Sequence, residues 1–419
     1  MAEIHPLTAL HYDLAKAGAL PDLVAPPYDV IDAAQRAELA ARSPHNVVHV
    51  DLPQGEDPYA EGAAIFDRWR AQGAVVRDEA LAIWALTQDY TGPGGHSYTR
   101  RGFLCRVRVE DYGPGRIRPH ERTHPGPKED RLRLTRATRA NLSPIFSLFS
   151  DPADAAWAAL RPHTESEEPW GEVTDTDGTV HRLWRVAEPG AVEAVCAAAA
   201  PAELLIADGH HRYETARVYA DEIGGEGAHR YVLMCLVALE DPGLTVFPTH
   251  RLVSCLWSEK QEALATAIRR DWEIEEIEEN ELVPDRADDG RVRIGYMDAH
   301  FQKPFRLTLK DQGIADAALP EHAEPYRRLD TAVTEALLLR GALDLTYADI
   351  DHLNGFGYAR DAGQARALLR DGTFDAAFFM GPTPVRHVQD VAAVGESMPP
   401  KSTYFFPKIL TGLVFNPLD

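Results

Sequence analysis

The stretch AELLIADGHHRYETARVYADEI, residues 202–223, constrains this chain more than any other. An apolar run, Leu204 to Ala207, stops at Asp208-Gly209, and a helical pattern begins at once. Tyr213, Ala216, Tyr219, Ala220 and Ile223 fall on one broad apolar stripe. The order is therefore strand, sharp turn, polar cluster, helix. A helix start presents unpaired backbone N–H groups and a partial positive charge. Gly209 lets the backbone turn and come close to a ligand. His210, His211 and Arg212 add donors, so the row has the parts of a phosphate cradle. The plainer reading is an Asp-Gly turn with incidental polar residues. Adjacent histidines diverge and suit a single transition-metal ion poorly. A Mg²⁺ shared between Asp208 and a phosphate is compatible with the cradle.

A second cluster lies upstream. Residues 116–141 hold eight Lys or Arg against three acids, in a chain whose formal net charge is −22. That overall charge speaks against DNA or RNA as partner. The local reversal reads either as a solvated helix face or as a site for an anionic ligand. Within it, His120 and Glu121 stand where a strand gives way to a Pro/Gly loop. A carboxylate beside a histidine in cationic surroundings can act as general base on a hydroxyl. Arg122 and Lys128 are further cations there. The plainer reading pairs Glu121 with Arg118 or Arg122 at the surface.

Two other motifs are weaker. FPTHRL, residues 247–252, places His250 and Arg251 after a strand. GESMPPKST, residues 395–403, has the offsets of a P-loop, but Pro400 stands at its second glycine position and has no N–H to give a phosphate. Lys401, Ser402 and Thr403 are left as candidates for a phosphate contact from another direction, beside a role in strand-end packing.

Hairpins are expected about GPGG (81–113) and about Asp177-Gly178 (172–186). Buried strands are expected at 144–150 and 231–239. Residues 24–53 read as loop, helix and strand, with Asp32 as N-cap. Helices are expected at 59–75, from about Pro127, at 190–200 and at 329–343. No GxGxxG follows a strand, so a Rossmann nucleotide domain is not expected. The pattern is α+β, or mixed α/β. Three segments are expected: 1–150 with the hairpin and the PHERT loop, 151–256 with the phosphate-binding core, and 257–419 as a C-terminal α/β segment. Four scattered cysteines, no basic-then-apolar start and no membrane-length apolar run give the expectation of a cytoplasmic protein without a membrane partner.

VAPPYDVI, PHERT with the following KEDRL, ADGHHRYETA, PTHR and MPPKSTYFFPK resemble the family labelled domain of unknown function 1015. More distantly, DGHHR is similar to the signature of the free serine kinases of the ParB/sulfiredoxin superfamily. That resemblance implies a ParB/sulfiredoxin-like core around the DGHHR strand and helix, with additional N- and C-terminal α/β segments. It implies that Gly209, His210, His211 and Arg212 hold nucleotide phosphates, with Asp208 at the strand end. The implied activity is a nucleotide-dependent kinase acting on a small metabolite hydroxyl, free L-serine first, with ATP or ADP and Mg²⁺ as cofactors. Glu121 is the candidate base by its chemistry, with His120 beside it. Asp208 would orient a histidine or hold Mg²⁺, and Arg122, Lys128 and Lys401 would neutralise charge. The rival readings are a nucleotide-binding regulatory protein without turnover, and a metal-dependent hydrolase built on His120, His210, His211 and His250.

Overall fold

The computed structural model describes residues 2–92, 95–120, 125–285 and 290–419. The chain forms two compact units, one of residues 1–245 with 405–419 and one of residues 246–404. The division differs from the three expected segments because strands from both sides of residue 150 share one sheet, and because the last fifteen residues return to the first unit.

In the first unit, the chain opens with strand β1 (Ile4–His5) and helix α1 (Ala33–Arg42). Asp32 caps α1 in a capping box with Gln35, as expected. The residues NVVHV, expected as a strand, instead give a short helix at Val48–Asp51. Asn46 decides this. Its Oδ1 accepts the Val48 N–H at 3.0 Å and its Nδ2 donates to the Asp22 carbonyl at 2.8 Å, a local turn that competes with extended pairing. Helix α2 (Pro58–Gln72) follows and ends at Gly73, whose φ is 68°.

The expected hairpin is strands β2 (Ile83–Thr91) and β3 (Ser97–Arg108), paired antiparallel from Thr91–Ser97 to Trp84–Leu104. Next come β4 (Ile117–Arg118), helix α3 (Pro125–Thr138), β5 (Ile145–Phe149) and helix α4 (Ala155–Ser166). The second expected hairpin is β6 (Gly171–Thr174) with β7 (Val180–Val186). Helix α5 (Pro189–Ala199), strand β8 (Leu204–Asp208), helix α6 (His210–Ile223) and strand β9 (Tyr231–Ala238) complete it. These nine strands join one mixed sheet in the order β4-β8-β5-β9-β3-β2-β7-β6, with β1 added on β3. β8 is parallel to β4 and antiparallel to β5, and β9 is parallel to β5. The central strands are buried along their length, which is why they read as apolar runs rather than alternations. Ile145, Ile206, Met234, Val195 and Leu160 meet in the core between this sheet and its helices.

The second unit is an antiparallel sheet with helices, and it has its own core. Helix α7 (Ser258–Asp271) follows strand β10 (His250–Val253). Strands β11 (Trp272–Glu276), β12 (Arg293–Asp298), β13 (Phe305–Leu309), β14 (Phe356–Ala359) and β15 (Ala376–Phe379) complete a sheet of order β11-β13-β12-β15-β10-β14. Helix α8 (Ala362–Arg370) precedes β15 and α9 (Val385–Ala393) follows it. The expected helix at 329–343 runs as an α-helix over Asp330–Thr334 and widens to π geometry over Glu335–Arg340. The fold is α+β, with both helices and mixed or antiparallel sheets in quantity.

Candidate phosphate-binding site

The pairing of β8 with β5 shifts register between Ile206 and Asp208. Such an irregularity re-aims the residues at a strand end. Here Ala207 is the extra residue, and Asp208 pairs with Phe146 as the last residue of β8 before Gly209 and α6. Gly209 then takes φ 95° and ψ 29°, the left-handed region, and becomes the N-cap of α6. A Cβ at this position would lie 3.0 Å from Cζ and Nε of Arg212. The glycine is needed twice, for the turn and for the close passage of that guanidinium.

Arg212 folds back across the first turn of its own helix. One terminal nitrogen donates to Asp208 Oδ2 at 2.6 Å. The other donates to Ser143 Oγ at 2.7 Å and to the Pro144 carbonyl. Its Nε is buried with no hydrogen-bond partner among the described residues. The second oxygen of Asp208 accepts from Lys408, which lies 200 residues further along the chain. One carboxylate thus holds two cations. Burial raises the Asp208 carboxyl, but Lys408 and Arg212 outweigh it and hold it well below the usual carboxylate range.

A small cavity of about 40 Å³ opens beside Arg212, lined among others by Tyr28, Asp51, Arg131, Ser143 and Thr215. Arg131 donates to both the backbone and the side-chain oxygen of Asp51, at 2.9 and 3.1 Å, and its guanidinium stacks 4.3 Å from the centre of the Tyr28 ring. Burial pushes the Asp51 carboxyl up, against the pull of Arg131 and Arg212. Burial likewise lifts the Tyr28 phenol to about 12. The PPYDV motif and the KEDR motif are therefore neighbours of DGHHR, as three stretches around one cavity. Two guanidiniums, Arg212 and Arg131, line this one cavity, and guanidinium donors suit a phosphate oxygen, which is an acceptor only.

Two of the histidines pack against each other. His120 and His210 are both buried, with ring centres 4.7 Å apart. His120 donates from Nδ1 to the Ile206 carbonyl at 2.6 Å, and its backbone N–H donates to His210 Nε2 at 3.3 Å. His210 is therefore neutral, with its proton on Nδ1. Burial, the nearby His120 and the surrounding cations hold its pKa well below the ordinary histidine value. The pair ties the end of β4 to the bulge in β8 and so fixes the strand end from which Asp208 projects. His211 is half-buried on the first turn of α6.

The remaining candidates are placed as follows. Lys128 lies on α3, where its carbonyl accepts the Thr215 hydroxyl at 3.4 Å, binding α3 to α6. Glu121 and Arg122 lie outside the described residues. Lys401 belongs to the second unit, with φ 54° and an exposed side chain. His250 also belongs to that unit. Its Nδ1 accepts the Met380 N–H at 3.1 Å, and burial with neighbouring Arg251 lowers it to about 4. The basic run is largely paired: Arg118 with Glu203, Arg131 with Asp51 and Asp130, Arg133 with Glu129, and Arg136 with Glu222. Among the described residues no group of three or more His, Cys, Asp or Glu is placed to hold a metal ion. Both oxygens of Asp208 already accept from cations, so a Mg²⁺ ion on Asp208 does not fit this arrangement without displacing Lys408 or Arg212.

Lys408 escaped the sequence reading. A signal was present: in YFFPKILTGLVFNPL, residues 404–418, it is the single charge in an aromatic and apolar run. Charged residues in buried segments are paired.

The first unit is a mixed α/β fold with a cationic cluster on Asp208 at a strand end and helix start. The chain belongs to the family described as "Protein of unknown function (DUF1015)", whose model matches residues 4–332. A search of curated proteins gives no match. Among solved structures, a conserved hypothetical protein from Pyrococcus furiosus is similar at 15% identity, over 73% of this chain and 92% of that one, with TM-score 0.36. A free serine kinase in complex with AMP is similar at 13% identity, over 72% and 86%, with TM-score 0.37. SbnI with a C-terminal truncation, from Staphylococcus aureus, is similar at 12% identity, over 74% and 85%, with TM-score 0.35. Among the described residues no helix is long and apolar enough to cross a membrane.

Proposed function

We propose that this protein is a nucleotide-dependent phosphotransferase acting on the hydroxyl of a small metabolite, with free L-serine the first acceptor to test. The observation that supports the reading most is Arg212. It packs against Gly209 at a helix start, its buried Nε has no hydrogen-bond partner among the described residues, and it lines one cavity together with Arg131. The resemblance of DGHHR to the kinase signature agrees with this placement. In the reaction, the acceptor oxygen forms a bond to the terminal phosphorus of ATP or ADP. The bond from that phosphorus to the bridging oxygen breaks, and the nucleotide leaves with one phosphate fewer. The hydroxyl proton passes to a base, for which Glu121 is the candidate. Phosphoryl transfer asks mainly for positioning and for charge neutralisation. Gly209 to Arg212 supply backbone and guanidinium donors for the donor phosphates, and Asp208 holds Arg212 in place. His120 and His210 act in this reading as the brace of the strand end. Mg²⁺ would enter on the phosphate oxygens of the nucleotide, where it supplies further neutralisation.

The test is direct. Purified protein with Mg²⁺, ATP or ADP, and L-serine should yield phosphoserine. Absence of transfer to any hydroxylated amino acid or sugar, with either donor, sinks the kinase reading. Glu121→Gln should abolish transfer and spare nucleotide binding. An unchanged phenotype in a protein that binds nucleotide without turnover favours the regulatory reading instead.

A further inference from the structure

We infer that Lys408 is a phosphate-binding cation of this site and that the C-terminal tail, residues 405–419, is a working part of it. The inference rests on the phosphotransferase reading and extends it to a segment that the family match, ending at residue 332, does not reach.

The tail returns to the first unit and is buried almost throughout. Phe405, Ile409, Leu410, Leu413, Val414 and Phe415 are all core residues. It touches the site at two points. Lys408 meets Asp208, and the Thr411 hydroxyl donates to Ser143 Oγ at 3.0 Å, the same oxygen that accepts from Arg212. The two cations that share Asp208 are thus both positioned by the tail, one directly and one through Ser143.

A buried polar chain fixes the backbone that carries Lys408. Gln88 donates to the Lys408 carbonyl at 3.0 Å, and Arg100 donates to the Pro407 carbonyl. Gln88 Oε1 in turn accepts from Arg100 at 2.9 and 2.5 Å. Gln88 also donates to His181 Nδ1 at 3.1 Å, and His181 Nε2 donates to Asp175 at 2.9 Å. Gln88, Arg100 and His181 are each at most 1% exposed. Burying an arginine and a glutamine is costly. Their visible effect is to hold two carbonyls of one short segment, and that segment's only charged side chain is Lys408. A guanidinium and an ammonium thus meet on one carboxylate at the N-terminal end of α6. An incoming phosphate oxygen can share both cations with Asp208.

The experiment uses the full chain and calorimetric titration with ADP, pyrophosphate and adenosine. Lys408→Met should weaken ADP and pyrophosphate at least about 10-fold, the scale of one charge-assisted hydrogen bond, and leave adenosine unchanged. Lys408→Arg should recover most of the loss. A Lys408→Met protein that binds ADP as tightly as wild type overturns the inference. So does an equal loss for ADP and adenosine, which marks a structural role only. If Lys408→Met does not fold, amine acetylation of the wild-type protein, read by mass spectrometry, replaces it. Saturating ADP should then protect Lys408 and leave Lys310 of the second unit unaffected, and an unprotected Lys408 overturns the inference. A wild type that binds neither ADP nor pyrophosphate sinks the phosphotransferase reading itself, a result distinguishable from failure of Lys408 alone.

Discussion

Asp208→Asn probes the centre of the site. The carboxylate, 14% exposed in its side chain, balances Arg212 at 11% and Lys408 at 18%. The amide keeps the shape but leaves two mostly buried cations facing each other across a neutral group. Removing one partner of a buried pair costs roughly 3–5 kcal/mol, and the residual exposure argues for the lower end, about 3 kcal/mol. For a unit of this size, each kcal/mol moves the melting temperature by roughly 2–4 °C, so the variant should melt about 6–12 °C lower. The pH dependence carries a sign. The folded pKa of Asp208 is depressed below its unfolded value. Its contribution is therefore complete above the unfolded value of about 3.9 and is lost as pH falls from there through the folded value. The gap between wild type and variant should stay flat from about pH 8 to 5 and close only in more acid solution. Calorimetric scans across that range read both quantities. A variant melting within about 1 °C of wild type, or a gap that already closes between pH 8 and 5, would refute the ion cluster as described.

Two further perturbations test the elements around it. Gly209→Ala forces a side chain into the left-handed region and within 3.0 Å of the Arg212 guanidinium. It should cost about 1–2 kcal/mol in urea unfolding and weaken nucleotide binding as well, since Arg212 must move; wild-type affinity would show that Arg212 is not a ligand. Arg100→Met or Gln88→Leu alone should destabilise strongly, about 3 kcal/mol, because each leaves a buried polar partner unmatched. The double variant should be less destabilised than the sum of the two, and strict additivity in the double-mutant cycle would disprove the coupling.

The local elements followed from local signals. The two hairpins, the buried strand 145–149, the Asp32 cap, and the strand–turn–helix around Asp208 and Gly209 all lie where residue pattern and turn chemistry put them. The exception is instructive. Val47, Val48 and Val50 favour a strand by propensity, yet Asn46 and complete burial turn the segment into a helix. The strand–turn–helix of DGHHR was legible for the same reason as the hairpins: its geometry depends on neighbours in sequence.

By itself the sequence determined that a strand ends at Asp208, that a glycine turns the chain in the left-handed region, and that a helix starts with Arg212 in its first turn. These are properties of φ, ψ and of a five-residue span. Only the tertiary structure decided what meets there. It put Tyr28, Asp51 and Arg131 around one cavity, turned His210 inward against His120, and brought Lys408 onto Asp208 across 200 residues. Such contacts leave no periodicity in the chain. They arise because a buried carboxylate and buried cations must find partners, and the nearest partner in space is set by sheet order and not by distance along the backbone.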